Sequence, residues 1–102
     1  EGEQVMPAGI LNMISRNALD PSVNAQTALG FELNNSRFMG THCSSRTFGK
    51  TGFTGASIVA DPEQNAAIVL LSNFTWPHRE EKPERIYTFR SYLSDLIFKN
   101  LS

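Results

Sequence analysis

The sequence predicts an α+β unit, an antiparallel sheet of three to four strands flanked by an N-terminal and a C-terminal helix. Three observations carry this expectation. Between Thr47 and Ser72 three β-rich runs alternate with turn residues, whereas helical apolar spacing is confined to the two ends of the chain. The composition of the 102 residues, 40% hydrophobic, 19% charged and 10% aromatic, is globular and excludes a disordered, collagen-like or coiled-coil chain.

Met6, Ile10, Met13 and Ile14 share one helical face and predict a helix over 6–16, with Pro7 tolerated in its first turn. Asn17 and Asp20-Pro21-Ser22 end it, and a polar connection runs to Gln26. Leu29, Phe31 and Leu33 alternate along a predicted strand over 28–33, which Asn34-Asn35-Ser36 closes in a turn. Three strands follow over 47–51, 56–60 and 66–72, the last two joined by a hairpin turn at Asp61-Pro62-Glu63-Gln64-Asn65. Ala66 to Leu71 is apolar at odd and even positions alike, which predicts cover on both faces of that strand. A final helix is expected from Pro83, packing through Ile86, Phe89, Leu93, Leu96 and Ile97.

Nine Lys and Arg against ten Asp and Glu leave a net charge of -1, so nucleic acid is not an expected partner. Arg79, Lys82, Arg85, Arg90 and Lys99 are interleaved with Glu80, Glu81, Glu84 and Asp95, the pattern of a solvated helix face. Cys43 stands alone, so no intramolecular disulfide is possible and the redox compartment stays open. No apolar run is long enough to span a membrane. Because the chain begins with Glu1 and carries no leader, its first residue is not expected to be a translation start.

The densest chemical signal is Phe48-Gly49-Lys50-Thr51-Gly52-Phe53-Thr54-Gly55. Glycines spaced by three weaken a strand, which points either to a bulge or to close approach of something to the backbone. Gly49-Lys50-Thr51 matches the end of a phosphate-binding loop, but Ser44 stands where that loop needs glycine and a strand follows instead of a helix. Lys50-Thr51-Gly52 instead matches the lysine-threonine-glycine motif of serine β-lactamases and penicillin-binding proteins. In that setting Lys50 supplies positive charge, Thr51 a hydroxyl and Gly52 clearance, while the Phe53 N–H faces a developing oxyanion.

The wider run from Thr47 to Glu63, followed by Ile68-Val69-Leu70-Leu71-Ser72-Asn73, resembles the C-terminal part of β-lactamase-related serine hydrolases of the class C type. Ala28 to Leu33 also resembles the strand preceding the motif in that family. The resemblance implies the closing portion of a larger β-lactamase/transpeptidase-like domain, residues 1–102 forming a single unit within it. It implies acyl-enzyme hydrolysis of a β-lactam, a D-amino-acid peptide or an ester, with catalytic roles for Lys50 and Thr51 and substrate contacts at Gly52 and Phe53. No cofactor or metal is implied, and an exported or periplasmic location follows by analogy alone.

The family's nucleophile lies in a Ser-x-x-Lys motif, and no serine here has lysine three residues on. Ser15-Arg16-Asn17 and Ser22-Val23-Asn24 match the family's second motif in form only, being too near Lys50 in sequence. The chain by itself is therefore expected to be inactive, and a non-catalytic binding or structural module is the alternative. The partner of the 66–72 strand in that fold comes from outside this chain, so an exposed strand edge is expected to self-associate or to bind the missing part of the domain. Bulky Phe53 leaves esterase and peptidase chemistry as open as β-lactam hydrolysis. Adjacent His42 and Cys43 are not expected to form a catalytic pair, nor are they and His78 spaced as zinc ligands. Phe74, Trp76 and His78 are read as a lid over the core or as the border of a substrate groove.

Overall fold

The computed structural model describes residues 2–23, 26–79 and 83–101. Glu80, Glu81 and Lys82 of the predicted charged stretch, and Asn24 of the second formal motif match, lie outside the described residues. The elements in chain order are α1 (Gly9–Ile14), β1 (Glu32–Leu33), α2 (Ser36–Met39), β2 (Phe48–Thr51), β3 (Ser57–Asp61), β4 (Ala66–Leu70) and α3 (Glu84–Lys99). The strands form one antiparallel sheet in the order β1-β2-β3-β4. The predicted α+β class is therefore the observed one, with the boundaries of β2, β3 and β4 moved by a residue or two.

Two elements are shorter than their patterns imply. Gly30 takes φ 81 and the Ala28 N–H turns back to the Phe31 carbonyl at 2.8 Å, which leaves two residues for β1. α1 ends at Ile14, where the Ser15 hydroxyl donates to the Leu11 carbonyl at 2.7 Å.

α2 falls where only a turn was expected. Asn35 caps it by accepting the Arg37 N–H at 3.1 Å, and Gly40 at φ 73 stops it after a single turn. One turn is too short to show periodicity, yet Phe38 and Met39 are fully buried and join Val59, Ile68 and Phe98 in the main core.

Leu93 and Ile97 pack against the core as the apolar stripe predicts, but α3 is turned so that only part of that stripe is covered. Arg90, Ser94 and Phe98 face inward, while Phe89 and Leu96 are each 49% exposed. Polar anchoring explains the rotation. The Ser94 hydroxyl donates to the Phe38 carbonyl at 3.2 Å, and Asp95 accepts the Thr41 and His42 N–H groups at 2.7 and 3.0 Å. Each bond fixes the helix against the α2 segment at one azimuth, and small Ser94 lets the two helices approach.

The sheet's second face is covered over only part of its width. Phe48 packs there with Ala28, Leu33, Phe31, Ala60 and Ile14, so α1 reaches this face only through its last turn. The neighbouring row, Lys50–Ile58–Val69, is paired in register across β2, β3 and β4 and is exposed, with Val69 at 64%. The expected cover on both faces of the 66–72 strand is thus found for Ile68 but not for Ala67 or Val69.

Candidate functional site

Among the described residues pairing with β1 reaches only Phe48 and Gly49, which leaves the outer edge of β2 open from Lys50 onward. An open edge offers unpaired backbone groups to an extended ligand. Side chains alternate along a strand, so Lys50 and Thr51 lie on opposite faces. Lys50 is exposed and Thr51 half-buried. A ligand lying along the edge can meet both of them.

The strand then enters a tight turn. The Gly52 N–H donates to the Ala56 carbonyl at 2.8 Å and the Gly55 N–H to the Gly52 carbonyl at 3.2 Å. Phe53 sits at the tip, 69% exposed, and its N–H makes no hydrogen bond to another described residue.

The glycines of the motif divide by cause. A Cβ on Gly49 would collide with the Ile58 carbonyl oxygen and crowd Phe38 and Met39, so this glycine serves the packing of α2 on the sheet. Gly55 has φ 96, and a Cβ there would lie 2.8 Å from the Ser72 hydroxyl and 2.9 Å from Phe74. At Gly52 a Cβ would meet nothing closer than 3.6 Å. Of the motif's three glycines, Gly52 alone has no reason among the described residues for lacking a side chain, as expected where a ligand approaches the backbone.

Beneath the turn lies Arg90, 3% exposed. Its Nε donates to the Gly55 carbonyl at 3.2 Å, and its Nη2 to the Ala56 and Gly52 carbonyls at 2.9 and 3.3 Å. Burial lowers its pKa, an effect opposed by Tyr87, whose ring lies 4.9 Å from the guanidinium. On the α3 side of the turn a cleft of about 640 Å³ is lined by Gly52, Phe53, Phe74, Thr75, Arg79 and Tyr87, among others. Lys50 and Thr51 do not line it. The Arg79 guanidinium lies 5.0 Å from the Phe53 ring. Phe74 thus borders a cleft, whereas Trp76, 75% exposed, is no lid over the core.

Two carboxylates organise the rest of the chain. Burial pushes the Asp61 carboxyl up, but hydrogen bonds from the Ser44 hydroxyl and N–H, the Gln64 side chain and the Glu63 N–H outweigh it and leave the pKa lowered. Burial acts likewise on Asp95, and bonds from the His42 ring, the Thr41 N–H and the His42 N–H reverse it. His42 thus belongs to a clasp with Asp95 rather than to Cys43. Burial raises the Cys43 thiol's pKa, which favours the protonated form. Among the described residues no group of three His, Cys, Asp or Glu converges as metal ligands, and no helix is long and apolar enough to cross a membrane.

Sequence reasoning singled out Lys50 to Phe53 and missed Arg90, which it placed on a solvated face. Its signal is the i, i+4, i+8 series Arg90, Ser94, Phe98, legible only once the helix azimuth is known.

Lys50-Thr51-Gly52 thus lies at the edge of a four-stranded antiparallel sheet that α3 packs against. The family model described as Beta-lactamase matches residues 2–92, and the chain belongs to that family. It is also similar to an N-acetylmuramyl-L-alanine amidase of Bacillus subtilis (strain 168), at 40% identity over 60 residues. That match takes in 55% of this chain and 13% of the relative's length. No solved structure matches the chain.

Proposed function

We propose that residues 1–102 are the C-terminal segment of a β-lactamase-like serine hydrolase and form one wall of its substrate groove. The observation that carries this is the β2 edge, where an exposed lysine, a glycine uncrowded by the described residues and an N–H without a partner among them follow one another. The reaction is acyl transfer to a serine contributed by the rest of the enzyme. Lys50 binds a substrate carboxylate or holds the proton network of the nucleophile, and Thr51 donates a hydroxyl hydrogen bond. Gly52 admits the substrate backbone and the Phe53 N–H meets the oxyanion. The chain by itself is inactive for want of a Ser-x-x-Lys nucleophile.

Of the three substrate classes, β-lactam, D-amino-acid peptide and ester, the name of the amidase relative favours an amide. The exposed Ile58–Val69 row, Leu71 at 82% exposure and the free edge of β4 are surface for the remainder of the domain or, without it, for a second copy.

Acyl-enzyme trapping by mass spectrometry on the full-length hydrolase, with an ester, a β-lactam and a D-amino-acid peptide, tests this. Lys50→Ala is expected to reduce acylation by about a hundredfold or more. Unchanged turnover in that variant refutes the role given to Lys50, and absence of any trapped adduct favours the non-catalytic module.

A further inference from the structure

Gly52 and Phe53 share a single peptide group, so the carbonyl of one and the N–H of the other are rigidly coupled. In a trans peptide the two point in opposite directions. Whatever fixes the Gly52 carbonyl therefore also aims the Phe53 N–H.

That carbonyl is fixed from two sides. It accepts the Gly55 N–H at 3.2 Å from within the turn and the Arg90 Nη2 at 3.3 Å from beneath it. The same guanidinium holds the Gly55 and Ala56 carbonyls at 3.2 and 2.9 Å, so one side chain spans the turn from Gly52 to Ala56. Among the described residues no carboxylate pairs with Arg90, and the guanidinium meets backbone carbonyls and the Tyr87 ring. A turn that needed only support could rest on an apolar side chain. A buried cation facing three carbonyls also polarises them, and a polarised carbonyl makes its own peptide's N–H a stronger donor.

We propose that Arg90 is a positioning residue for the oxyanion site: through the Gly52 carbonyl it orients and polarises the Gly52–Phe53 peptide, so that the Phe53 N–H presents itself to the substrate beside Lys50. This rests on the hydrolase reading above and adds to it a residue from the far end of the chain. Lysine at this position keeps the charge but loses the planar fork, and methionine loses both while filling similar space.

The test compares wild type, Arg90→Lys and Arg90→Met in the full-length hydrolase, each assayed on an ester and on its thionoester, whose sulfur accepts hydrogen bonds poorly. Arg90→Met is expected to lower kcat for the oxygen ester about tenfold or more, with KM changed by less than about twofold. The preference for oxygen over sulfur is expected to shrink by a similar factor, with Arg90→Lys between the two. General damage to the fold would slow both esters alike and leave that preference unchanged, and an unchanged preference in folded Arg90→Lys overturns the proposal. In parallel, the Phe53 amide proton of the 102-residue chain is followed by NMR, where an upfield shift in Arg90→Lys supports the coupling and an unmoved resonance overturns it. Because that measurement needs no turnover, it judges Arg90 even where Lys50→Ala leaves activity intact and the hydrolase reading itself fails.

Discussion

Gly49→Ala and Gly52→Ala are the same chemical change three residues apart, and the structure predicts opposite consequences. At Gly49 the new methyl would collide with the Ile58 carbonyl, which is held in the β2–β3 ladder, and would lie 3.1 Å from the Phe38 ring and 3.3 Å from the Met39 methyl. None of these neighbours can retreat, because Phe38 and Met39 are fully buried. Overpacking of this kind costs about 3 kcal/mol. For a chain of this size that corresponds to a fall in Tm on the order of 15 °C. At Gly52 the nearest atoms stand 3.6 Å away, so alanine is expected to change stability by less than about 0.5 kcal/mol. In the proposed groove wall its methyl would instead intrude on the substrate's path. Urea unfolding of the 102-residue chain, with kcat/KM measured in the full-length hydrolase, separates the two. Gly49→Ala should shift the unfolding midpoint, and Gly52→Ala should leave it in place while lowering kcat/KM. Equal midpoints for the two variants, or full activity in Gly52→Ala, would refute the division of the glycines.

Further outcomes follow from the same geometry. Asp61 is buried with a lowered pKa, so the unfolded chain binds its proton more tightly, and its stabilisation is whole above about pH 4 and is lost as pH falls through the folded value. Asp61→Asn should therefore cost about 2 kcal/mol at neutral pH and flatten the acid-unfolding curve, whereas curves that run parallel down to pH 2 would contradict the hydrogen-bond account. The chain by itself is expected to elute as a dimer or larger species through β4, and Val69→Lys to shift it towards monomer. A wild-type monomer that persists on dilution and concentration alike would count against an associating edge.

Much of the fold was legible because its signals are local. The Asp61–Asn65 turn, the β-rich runs of β2, β3 and β4 and the long period of α3 each arise from residues a few positions apart, so propensity and spacing suffice to find them. α2 was not legible, since a single turn capped by Asn35 and closed by Gly40 carries no period. β1 was overestimated because Leu29, Phe31 and Leu33 alternate across Gly30, whose positive φ breaks the strand. The candidate site divides in the same way. Lys50, Thr51, Gly52 and Phe53 are contiguous and stood out as a motif, whereas Arg90 lies 35 residues beyond the Gly55 carbonyl it holds.

By itself the sequence determined the α+β class, the order of its principal strands and the motif on which a substrate edge could be built. Tertiary structure decided which glycine leaves room for a ligand, which face of α3 turns inward and what lies beneath the Phe53 turn. The physical reason is that a helix with apolar residues on one side and hydrogen-bonding residues on another can pack through either. The Phe38 and Gly55 carbonyls and the Thr41 and His42 N–H groups are met together when α3 is rotated so that Ser94, Arg90 and Asp95 reach them.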